Sequence, residues 1–559
     1  MAGNILTPEE IFGDANQSFI PKTDLISESR VGETIISRVY LHGRELPDGQ
    51  VKIYSVIAHG MQLAMMPAII VFSDLEKGID EDFIVELANK GYYVFAIDLA
   101  GIREEGYYTI YPESISYANY FNSKNNLFDV KTDIKHTCHY EWGVAGKYAL
   151  SFVTGQPFIT RTGAIGIESG ATALWHVAAT SKNLAAAVFI KNAGWKTYKG
   201  RRKFGNSTDP QLSDSMLKYV AGVEPQSYAM HVKCPTLIVS ATNDKENDFD
   251  RAYDTASRIG ERVYKAVSAS VERSENISEK EYEGILCFLN GCLFGAENAN
   301  KLFPKEPELK CGEDGEKIFA EVSFSASDLN NLSLFVGNGV SDPALRVYKK
   351  ITEYKTEKVG KATFSFVPEK GYEKVYIFAC AEYKNGFSLI TPIICKSIPF
   401  KPEKRASEKI LFSGIKEDTF ENFVGLEKDC ITPIDFNGEE EAKLVSGPMD
   451  IKGITSTRGI KTYKINSEKD KPMDDASLMF DCSMEQGGEI TVEFLTGEES
   501  SEIYSASISV AGGAVWHNVI IEINKLKTDQ GKILKSYSKV SEVRILGTGK
   551  FIINNILWV

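Results

Sequence analysis

The chain has 559 residues, of which 43% are hydrophobic and 25% are charged. At roughly 100–200 residues per domain this length predicts about three to five domains, and the composition is that of folded rather than disordered proteins. Lys and Arg number 63 against 76 Asp and Glu, which gives a formal charge of −13. Because this charge repels polyanions, nucleic acid and anionic membranes are not expected partners.

The amino-terminal residues MAGNILTPEEIFGDANQSF lack the basic and apolar segments of a signal peptide, and no stretch is apolar enough to cross a membrane. Nine cysteines, an odd number with irregular spacing, are typical of free thiols in a reducing compartment. We therefore expect a cytoplasmic protein with no membrane partner. The sequence leaves the oligomeric state open.

Up to about residue 303 the sequence alternates apolar strand runs with amphipathic helical stretches, which is the rhythm of β-α-β units. The predicted strands cover residues 67–72, 92–98, 163–167, 185–190 and 235–241, and the predicted helices cover 80–89, 139–153, 171–179 and 279–289. The expected fold class is α/β, with a doubly wound, mostly parallel sheet that follows an N-terminal β extension.

Two proline-bearing stretches, residues 303–307 and 399–404, predict linkers, because proline continues neither a helix nor a central strand. The helical signals mostly vanish after the first linker. Further strands are predicted at 317–324, 333–336, 362–366, 375–379 and 387–394, and then at 476–482, 489–494, 505–510, 542–546 and 549–559. We expect three domains, residues 1–303, 304–402 and 403–559, of which the last two are all-β sandwiches.

The segment from about residue 67 to 293 resembles the α/β-hydrolases, and within them the dienelactone hydrolase and acetyl xylan esterase branches. The resemblance is carried by PAIIVFSDLEKG (67–78), DEDFIVELANKGYYVFAIDLAG (80–101), RTGAIGIESGATALWHVAA (161–179), CPTLIVSATND (234–244) and SEKEYEGILCFLNG (278–291). It implies an α/β-hydrolase fold and an ancestry in carboxylic ester hydrolysis.

The catalytic nucleophile of this family lies in a small-x-nucleophile-x-small turn between a strand and a helix. Here Gly166 and Gly170 supply the small residues, and Glu168 occupies the nucleophile position in place of Ser, Cys or Asp. A shift of one residue makes Ser169 the alternative nucleophile, but it puts Ile167 where a small residue is needed.

The resemblance also implies where the other two triad members would lie. The acid position is Asp244, and the histidine position is Ser274, in the loop before the last helix of the domain. No histidine occurs between His231 and His517. A serine hydroxyl without a base is a poor nucleophile, so the leading hypothesis is a hydrolase-like pseudoenzyme that has lost triad catalysis and binds a small molecule or saccharide.

Three alternatives remain open from the sequence. Glu168 and Asp244 could face one pocket as an acid/base pair, as in glycoside hydrolysis, or hold a cation; against this, a nearby Arg, Lys or hydroxyl could simply hold Glu168. Ser169 could serve an active esterase. The whole chain could be a structural or assembly platform. No cofactor and no metal are expected.

Several other residues invite a functional interpretation but are explained more simply. His136, Cys138, His139 and Glu141 are metal-type ligands, but neighbouring positions at a helix start diverge around its axis. His176 is expected in the core rather than as a relocated base. A tyrosine-rich loop after Asp98 and a basic stretch at 195–203 could contact a sugar, although packing and solvation account for both.

The middle domain resembles an immunoglobulin-like sandwich. The last domain resembles a jelly-roll carbohydrate-binding module, on the pattern WHNVIIEI (516–523) followed by GKFIINNILW (549–558). Such modules bind sugars with exposed aromatic rings, but Trp558 at the end of a strand is expected in the core. The sequence therefore assigns no sugar site to this domain.

Overall fold

The computed structural model describes most of the chain. The described residues are 6–15, 19–128, 130–195, 213–242, 244, 247–270, 277–295, 299–338, 346, 348–351, 355–358, 360–368, 374–397, 409–414, 431–434, 443–466, 470–496, 502–513 and 515–559. The predicted linker at 399–404 and the predicted histidine position Ser274 lie outside them.

The first part of the chain builds one nine-stranded mixed sheet in the order β1-β2-β3-β5-β4-β6-β7-β8-β9. The strands β1 to β3 and the β3–β5 pair are antiparallel, whereas the six strands from β5 to β9 along this order are parallel. The strands are β1 Thr23–Val31, β2 Thr34–Leu46, β3 Gly49–Gly60, β4 Met66–Phe72, β5 Tyr93–Ile97, β6 Ile159–Ile167, β7 Ala186–Ile190, β8 Thr236–Ala241 and β9 Lys265–Ser270.

Helices cover both faces of this sheet. They are α1 Pro8–Phe12, α2 Glu81–Asn89, α3 Tyr120–Ser123, α4 Cys138–Thr154, α5 Ala171–Thr180, α6 Asp214–Gly222, α7 Pro225–Tyr228, α8 Phe249–Arg258, α9 Glu279–Leu293 and α10 Ala299–Leu302. Alternate residues of the central strands point to opposite faces. One set packs with α4, α5 and α8, and the other with α2 and α9.

The predicted strands and helices of this region are all present, with shifted ends. β6 begins at Ile159 rather than at 163, because the polar stretch before Gly163 pairs with β4, where Ile159 lies opposite Met66. α9 continues to Leu293, four residues beyond the predicted end. α8 and β9 have no counterpart in the sequence prediction, because α8 is rich in polar residues and β9, KAVSAS, has few large apolar ones.

Two antiparallel sheets follow, in the orders β10-β11-β15-β14 and β13-β12-β16-β17, with β18 also on β16. The predicted strand at 387–394 is wrong as one element: Pro392, which has no N–H to donate, lies between β17 and β18. The strands are β10 Glu308–Asp314, β11 Lys317–Ser323, β12 Leu329–Asn338, β13 Tyr348–Ile351, β14 Lys355–Lys358, β15 Lys361–Phe366, β16 Lys374–Tyr383, β17 Ser388–Ile390 and β18 Ile394–Ser397.

This β-rich part packs directly against the nine-stranded domain. Phe378 meets Phe249 of α8 edge to face at 5.3 Å, and the buried guanidinium of Arg346 lies 2.8 Å from the carboxylate of Asp250 on the same helix. The hydroxyl of Tyr253, one turn further along α8, donates to the carbonyl oxygen of Ile390. One face of α8 is therefore an interdomain contact.

The last part forms two more antiparallel sheets, β21-β22-β29-β24-β27 with β19 on β29, and β20-β23-β28-β25-β26. Their facing residues share one apolar core, in which Trp558 is fully buried. The strands are β19 Lys409–Phe412, β20 Ile431–Pro433, β21 Lys443–Ser446, β22 Lys452–Ser456, β23 Gly459–Thr462, β24 Leu478–Met484, β25 Gly488–Thr496, β26 Glu502–Val510, β27 His517–Ile521, β28 Val540–Gly547 and β29 Phe551–Trp558.

The chain is thus an α/β domain followed by β-rich domains. Among the described residues, no helix has the length and apolarity that a membrane crossing needs.

Candidate functional site

A tight turn joins β6 to α5 at the carboxyl edge of the parallel strands. It comprises Glu168, Ser169 and Gly170, and Glu168 has φ = +46°, a region that residues with a side chain rarely adopt. A Cβ on Gly166 would lie 2.6 Å from the Cα of Ala171, and one on Gly170 would lie 2.1 Å from the carbonyl oxygen of Ser73. Both glycines are sterically required, and Glu168 lies at the apex between them.

The carboxylate of Glu168 lies between two cations. Its Oε1 is 3.9 Å from the Nζ of Lys77 and 3.9 Å from the Nζ of Lys191, and 36% of its side chain is exposed. Burial raises the pKa of Glu168, and the negative charge of Asp74 raises it further. Lys191 and Lys77 act in the opposite direction, and Asp244 adds a smaller increase.

Lys191 is placed by the same strand ends as Glu168. Ile167 and Ile190 are register partners at the ends of β6 and β7, and Glu168 and Lys191 are the residues that directly follow these strands. Lys191 also has a positive φ, +49°, and 13% of its side chain is exposed. Its side chain therefore reaches the site from the neighbouring strand.

Ser169 points away from the apex, into the loop after β4. Its hydroxyl donates to Oδ1 of Asp74 and accepts the backbone N–H of Leu75 at 2.8 Å. The other oxygen of Asp74 accepts the N–H of Lys77 at 3.3 Å. The Ser169 hydroxyl thus both donates and accepts a hydrogen bond within the protein.

The loop from Asp74 to Gly78 is held from behind by Arg103. The guanidinium donates to the carbonyl oxygens of Leu75 and Glu76, at 2.7 and 2.8 Å, and it also pairs with buried Asp98 at 3.3 Å. Arg103 thereby fixes the loop that brings Asp74 and Lys77 to the site.

A cavity of about 590 Å³ opens over Glu168. Its walls come from β4 and its loop, from α2, from the ends of β6 and β7, and from a residue two positions before α9. Apolar side chains are mixed with carboxylates and ammonium groups; those lining it are Val71, Ser73, Asp74, Lys77, Gly78, Ile79, Asp80, Asp82, Phe83, Glu86, Ile167, Glu168, Ile190, Lys191 and Ile277. This size is within the range of small-molecule pockets.

Asp244, the expected acid, lies in the loop after β8 and is buried, with 5% of its surface exposed. Its Oδ1 accepts the backbone N–H of Asn247 at 3.0 Å. Asp244 influences Glu168 electrostatically but is not part of the cavity wall. The structure thus brings Glu168 and Ser169 to one turn and leaves Asp244 outside the cavity.

All seven histidines of the sequence lie in the described part of the chain, and none of them lines the cavity. His176 is fully buried between Phe12 and Tyr228, and its Nε2 is 2.7 Å from the carbonyl oxygen of Val223. Burial lowers the pKa of His176 to about 4. His176 is thus a core histidine, in agreement with the expectation from sequence.

The possible metal ligands at the start of α4 have other partners. His139 lies 3.1 Å from the carbonyl oxygen of Leu127, and Glu141 pairs with Arg44 at 2.5 Å. Burial raises the pKa of Glu141 to about 7. The described residues contain no group of three potential metal-ligating side chains.

The aromatic loop after Asp98 mostly packs inward. Tyr111 and Tyr120 are buried, whereas Tyr107 is half exposed and lies on Tyr54, with ring centroids 5.6 Å apart. Of the basic stretch 195–203 only Trp195 lies within the described residues, and its indole N–H donates to Asp254 at 2.9 Å.

Comparison with solved structures finds esterases among the neighbours. Acetyl xylan esterase 1 from Thermoanaerobacterium sp. JW/SL YS485 aligns with a TM-score of 0.36 and 14% identity, over 47% of this chain and 86% of its own. An acetyl xylan esterase from Paenibacillus sp. R4 aligns with a TM-score of 0.40 and 14% identity, over 51% of this chain and 93% of its own. A cold-adapted esterase from an Arctic intertidal metagenomic library aligns with a TM-score of 0.31 and 13% identity, over 48% of this chain and 99% of its own.

No family model matches the sequence, and no curated protein matches it. Similarity to solved structures at this level says nothing about activity.

Two residues of the site were missed by the sequence analysis, Lys77 and Lys191. Both follow buried parallel strands, and ligands of open α/β sheets bind beyond the carboxyl ends of such strands. Lys191 comes directly after the predicted strand 185–190, so this rule could have singled it out. Nothing in the local sequence indicated that both lysines meet Glu168.

Proposed function

We propose that residues 1–303 form an α/β-hydrolase fold whose elbow pocket binds a small molecule and does not perform acyl transfer. The strand order of the mixed sheet, antiparallel at one end and parallel from β5 onward with β4 between β5 and β6, supports this fold. The observation that carries the functional part is Glu168 at the apex of the turn, with φ = +46°. The two following domains, 304–402 and 403–559, are proposed as separate β-sandwiches.

Acyl transfer by this fold needs a nucleophile, a base that deprotonates it, and backbone donors for the oxyanion. The apex holds a carboxylate between two lysines, and none of the described residues places an imidazole at the cavity. Ser169 is hydrogen-bonded to Asp74 and Leu75. An oxyanion formed next to Ser169 would be repelled by the Asp74 carboxylate, and the Leu75 N–H already donates its hydrogen bond to the Ser169 hydroxyl. These groups oppose the chemistry rather than promote it.

The lining of the cavity favours a neutral, hydroxyl-rich ligand such as a saccharide. A hydroxyl can donate one hydrogen bond and accept two, so it can bridge carboxylates such as Asp82 and Glu168 and ammonium groups such as Lys77. Phe83 offers an apolar surface for the carbon face of a ring. Trp516 and Trp558 of the last domain are buried, so the proposed ligand site is the elbow pocket.

The test of lost acyl transfer uses a panel of p-nitrophenyl esters with the full chain. We expect wild type, Ser169→Ala and Glu168→Gln to release p-nitrophenol at the rate of buffer alone. Turnover by wild type that disappears in Ser169→Ala would establish an esterase instead. Turnover of p-nitrophenyl glycosides that is lost in Glu168→Gln would establish carboxylate catalysis.

Ligand binding is tested separately by thermal unfolding in the presence of mono- and disaccharides. A ligand at 100 times its dissociation constant adds roughly 2.7 kcal/mol to the free energy of unfolding. We expect the stabilising sugars to lose their effect in Lys191→Met, whereas Lys265→Met, at the opposite edge of the sheet, keeps it. No stabilisation by any sugar would favour the platform hypothesis.

A further inference from the structure

The described residues contain six non-glycine residues with positive φ, and two of them, Glu168 and Lys191, line the same cavity. They lie side by side at the ends of adjacent parallel strands. A positive φ is strained for a residue with a side chain, and such strain tends to be kept where function requires it.

The two side chains carry opposite charges but do not form a close hydrogen bond. Glu168 Oε1 and Lys191 Nζ are 3.9 Å apart, beyond the about 2.9 Å of an N–H···O hydrogen bond. The Nζ of Lys77 lies at the same distance, 3.9 Å, from the same carboxylate oxygen. A ligand in the cavity would meet a carboxylate and an ammonium group next to each other, because both residues line its wall.

We propose that Glu168 and Lys191 catalyse proton transfer next to a carbonyl group, interconverting α-hydroxy aldehydes and α-hydroxy ketones. This chemistry is distinct from ester hydrolysis and needs only a base and an adjacent acid. It rests on the ligand pocket proposed above, and it names the ligand class as small hydroxylated carbonyl compounds.

The step balances without a co-reactant. The Glu168 carboxylate takes the proton from the hydroxyl-bearing carbon, and that C–H electron pair forms the C=C bond of an enediol. The carbonyl π electrons move to oxygen, which takes a proton from the Lys191 ammonium. Glu168 then returns its proton to the former carbonyl carbon, and the neighbouring hydroxyl returns a proton to the Lys191 amine as the new C=O bond forms.

The environment of both groups suits these roles. The Glu168 side chain is partly exposed to the cavity, so a ligand can reach it, and burial together with Asp74 raises its pKa, which makes it a stronger base. Lys191 is mostly buried, so its charge acts on the ligand with less screening by water. Lys77 supplies a second positive charge beside the developing enediol.

The experiment follows deuterium incorporation into hydroxyacetone and dihydroxyacetone in D2O at neutral pD, by proton NMR with the full chain. We expect wild type to exchange the carbon-bound protons about 100-fold faster than Glu168→Gln or Lys191→Met. Glu306→Gln and Lys265→Met, which change a half-buried carboxyl and a half-buried amine outside the cavity, should exchange like wild type. Circular dichroism establishes that each variant is folded.

Three results would overturn the proposal. One is wild-type exchange no faster than that of Glu168→Gln, while saturation-transfer NMR shows the probe bound; the ligand pocket then survives and the proton-transfer chemistry fails. Another is no binding of either probe: if sugars still stabilise the protein, only the proton-transfer chemistry fails, and if they do not, the pocket fails as well. The third is equal loss of exchange in the Glu306→Gln and Lys265→Met controls, which would show that the exchange rate does not depend on the charged groups of the cavity.

Discussion

The hydroxyl of Ser169 donates a hydrogen bond to the carboxylate of Asp74, which lies 95 positions earlier in the chain. This bond closes the loop after β4 onto the turn that carries Glu168. The backbone N–H of Leu75 also donates to the Ser169 hydroxyl. Ser169, the residue after the apex, therefore joins the ends of two strands.

Replacing Ser169 by alanine should therefore cost stability. The variant leaves the Leu75 N–H and one Asp74 oxygen without their partner, and a loss of about 1–2 kcal/mol in the free energy of unfolding is expected. Urea unfolding measures it. Ser257→Ala, which removes an exposed hydroxyl bonded to Asp254, should change the midpoint much less; equal effects would mean that the Asp74 contact contributes nothing.

Gly170→Ala tests the packing of the elbow. Its Cβ would lie 2.1 Å from the carbonyl oxygen of Ser73 and 2.8 Å from that of Phe72, both backbone atoms. Because the backbone must move, we expect the free energy of unfolding to fall by roughly 1–3 kcal/mol or more. Gly260→Ala is the matched control, since no atom lies within 4 Å of its added Cβ. An unchanged unfolding midpoint in Gly170→Ala would contradict this geometry.

Glu168→Gln should stabilise the protein at high pH. The folded state holds the Glu168 proton more tightly than the unfolded state, because burial and Asp74 raise the pKa of this carboxyl above its ordinary value of 4.5. Ionisation therefore lowers the stability of wild type as pH rises above that value. The positive charges of Lys191 and Lys77 moderate the effect, whereas the negative charge of Asp244 adds to it.

Thermal unfolding of both proteins from pH 4 to 8 measures this difference. The melting temperature of Glu168→Gln should exceed that of wild type at pH 8, and the gap should close toward pH 4, where wild type is protonated in both states. Glu104→Gln, which removes a carboxylate from an exposed loop, is the matched control for the loss of one negative charge. A gap that widens toward low pH would refute the raised pKa.

Arg346→Met tests the interdomain contact. The Arg346 side chain is 2% exposed and lies 2.8 Å from Asp250 on α8, which is 16% exposed. Removing one member of a buried pair leaves the other charge uncompensated, at a cost of about 3–5 kcal/mol. The double variant Arg346→Met with Asp250→Asn should recover part of that loss in urea unfolding. Additive losses in this double-mutant cycle would show that the two residues do not interact.

Local sequence determined the elbow. The pattern Gly166-x-Glu168-x-Gly170 predicts a tight turn from local residues, since the clash that requires Gly166 is with Ala171, five residues on. The clash that requires Gly170 is with Ser73 after β4, so tertiary packing adds this second requirement. The strands and helices that hydrophobic periodicity predicts in the first domain are present, because periodicity is a property of neighbouring residues. The expected domain boundaries, and the assignment of Asp244 to the acid position and of Ser274 to the histidine position, stay predictions.

Tertiary structure alone decided what surrounds Glu168. Asp74, Lys77 and Lys191 come from the ends of two other strands, and only the parallel register of β4, β6 and β7 brings them to one edge. The inward turn of Ser169 likewise depends on a loop almost a hundred residues away. Periodicity reports which residues are buried, whereas the meeting of charges across strands depends on sheet order, which the sequence encodes only through long-range packing.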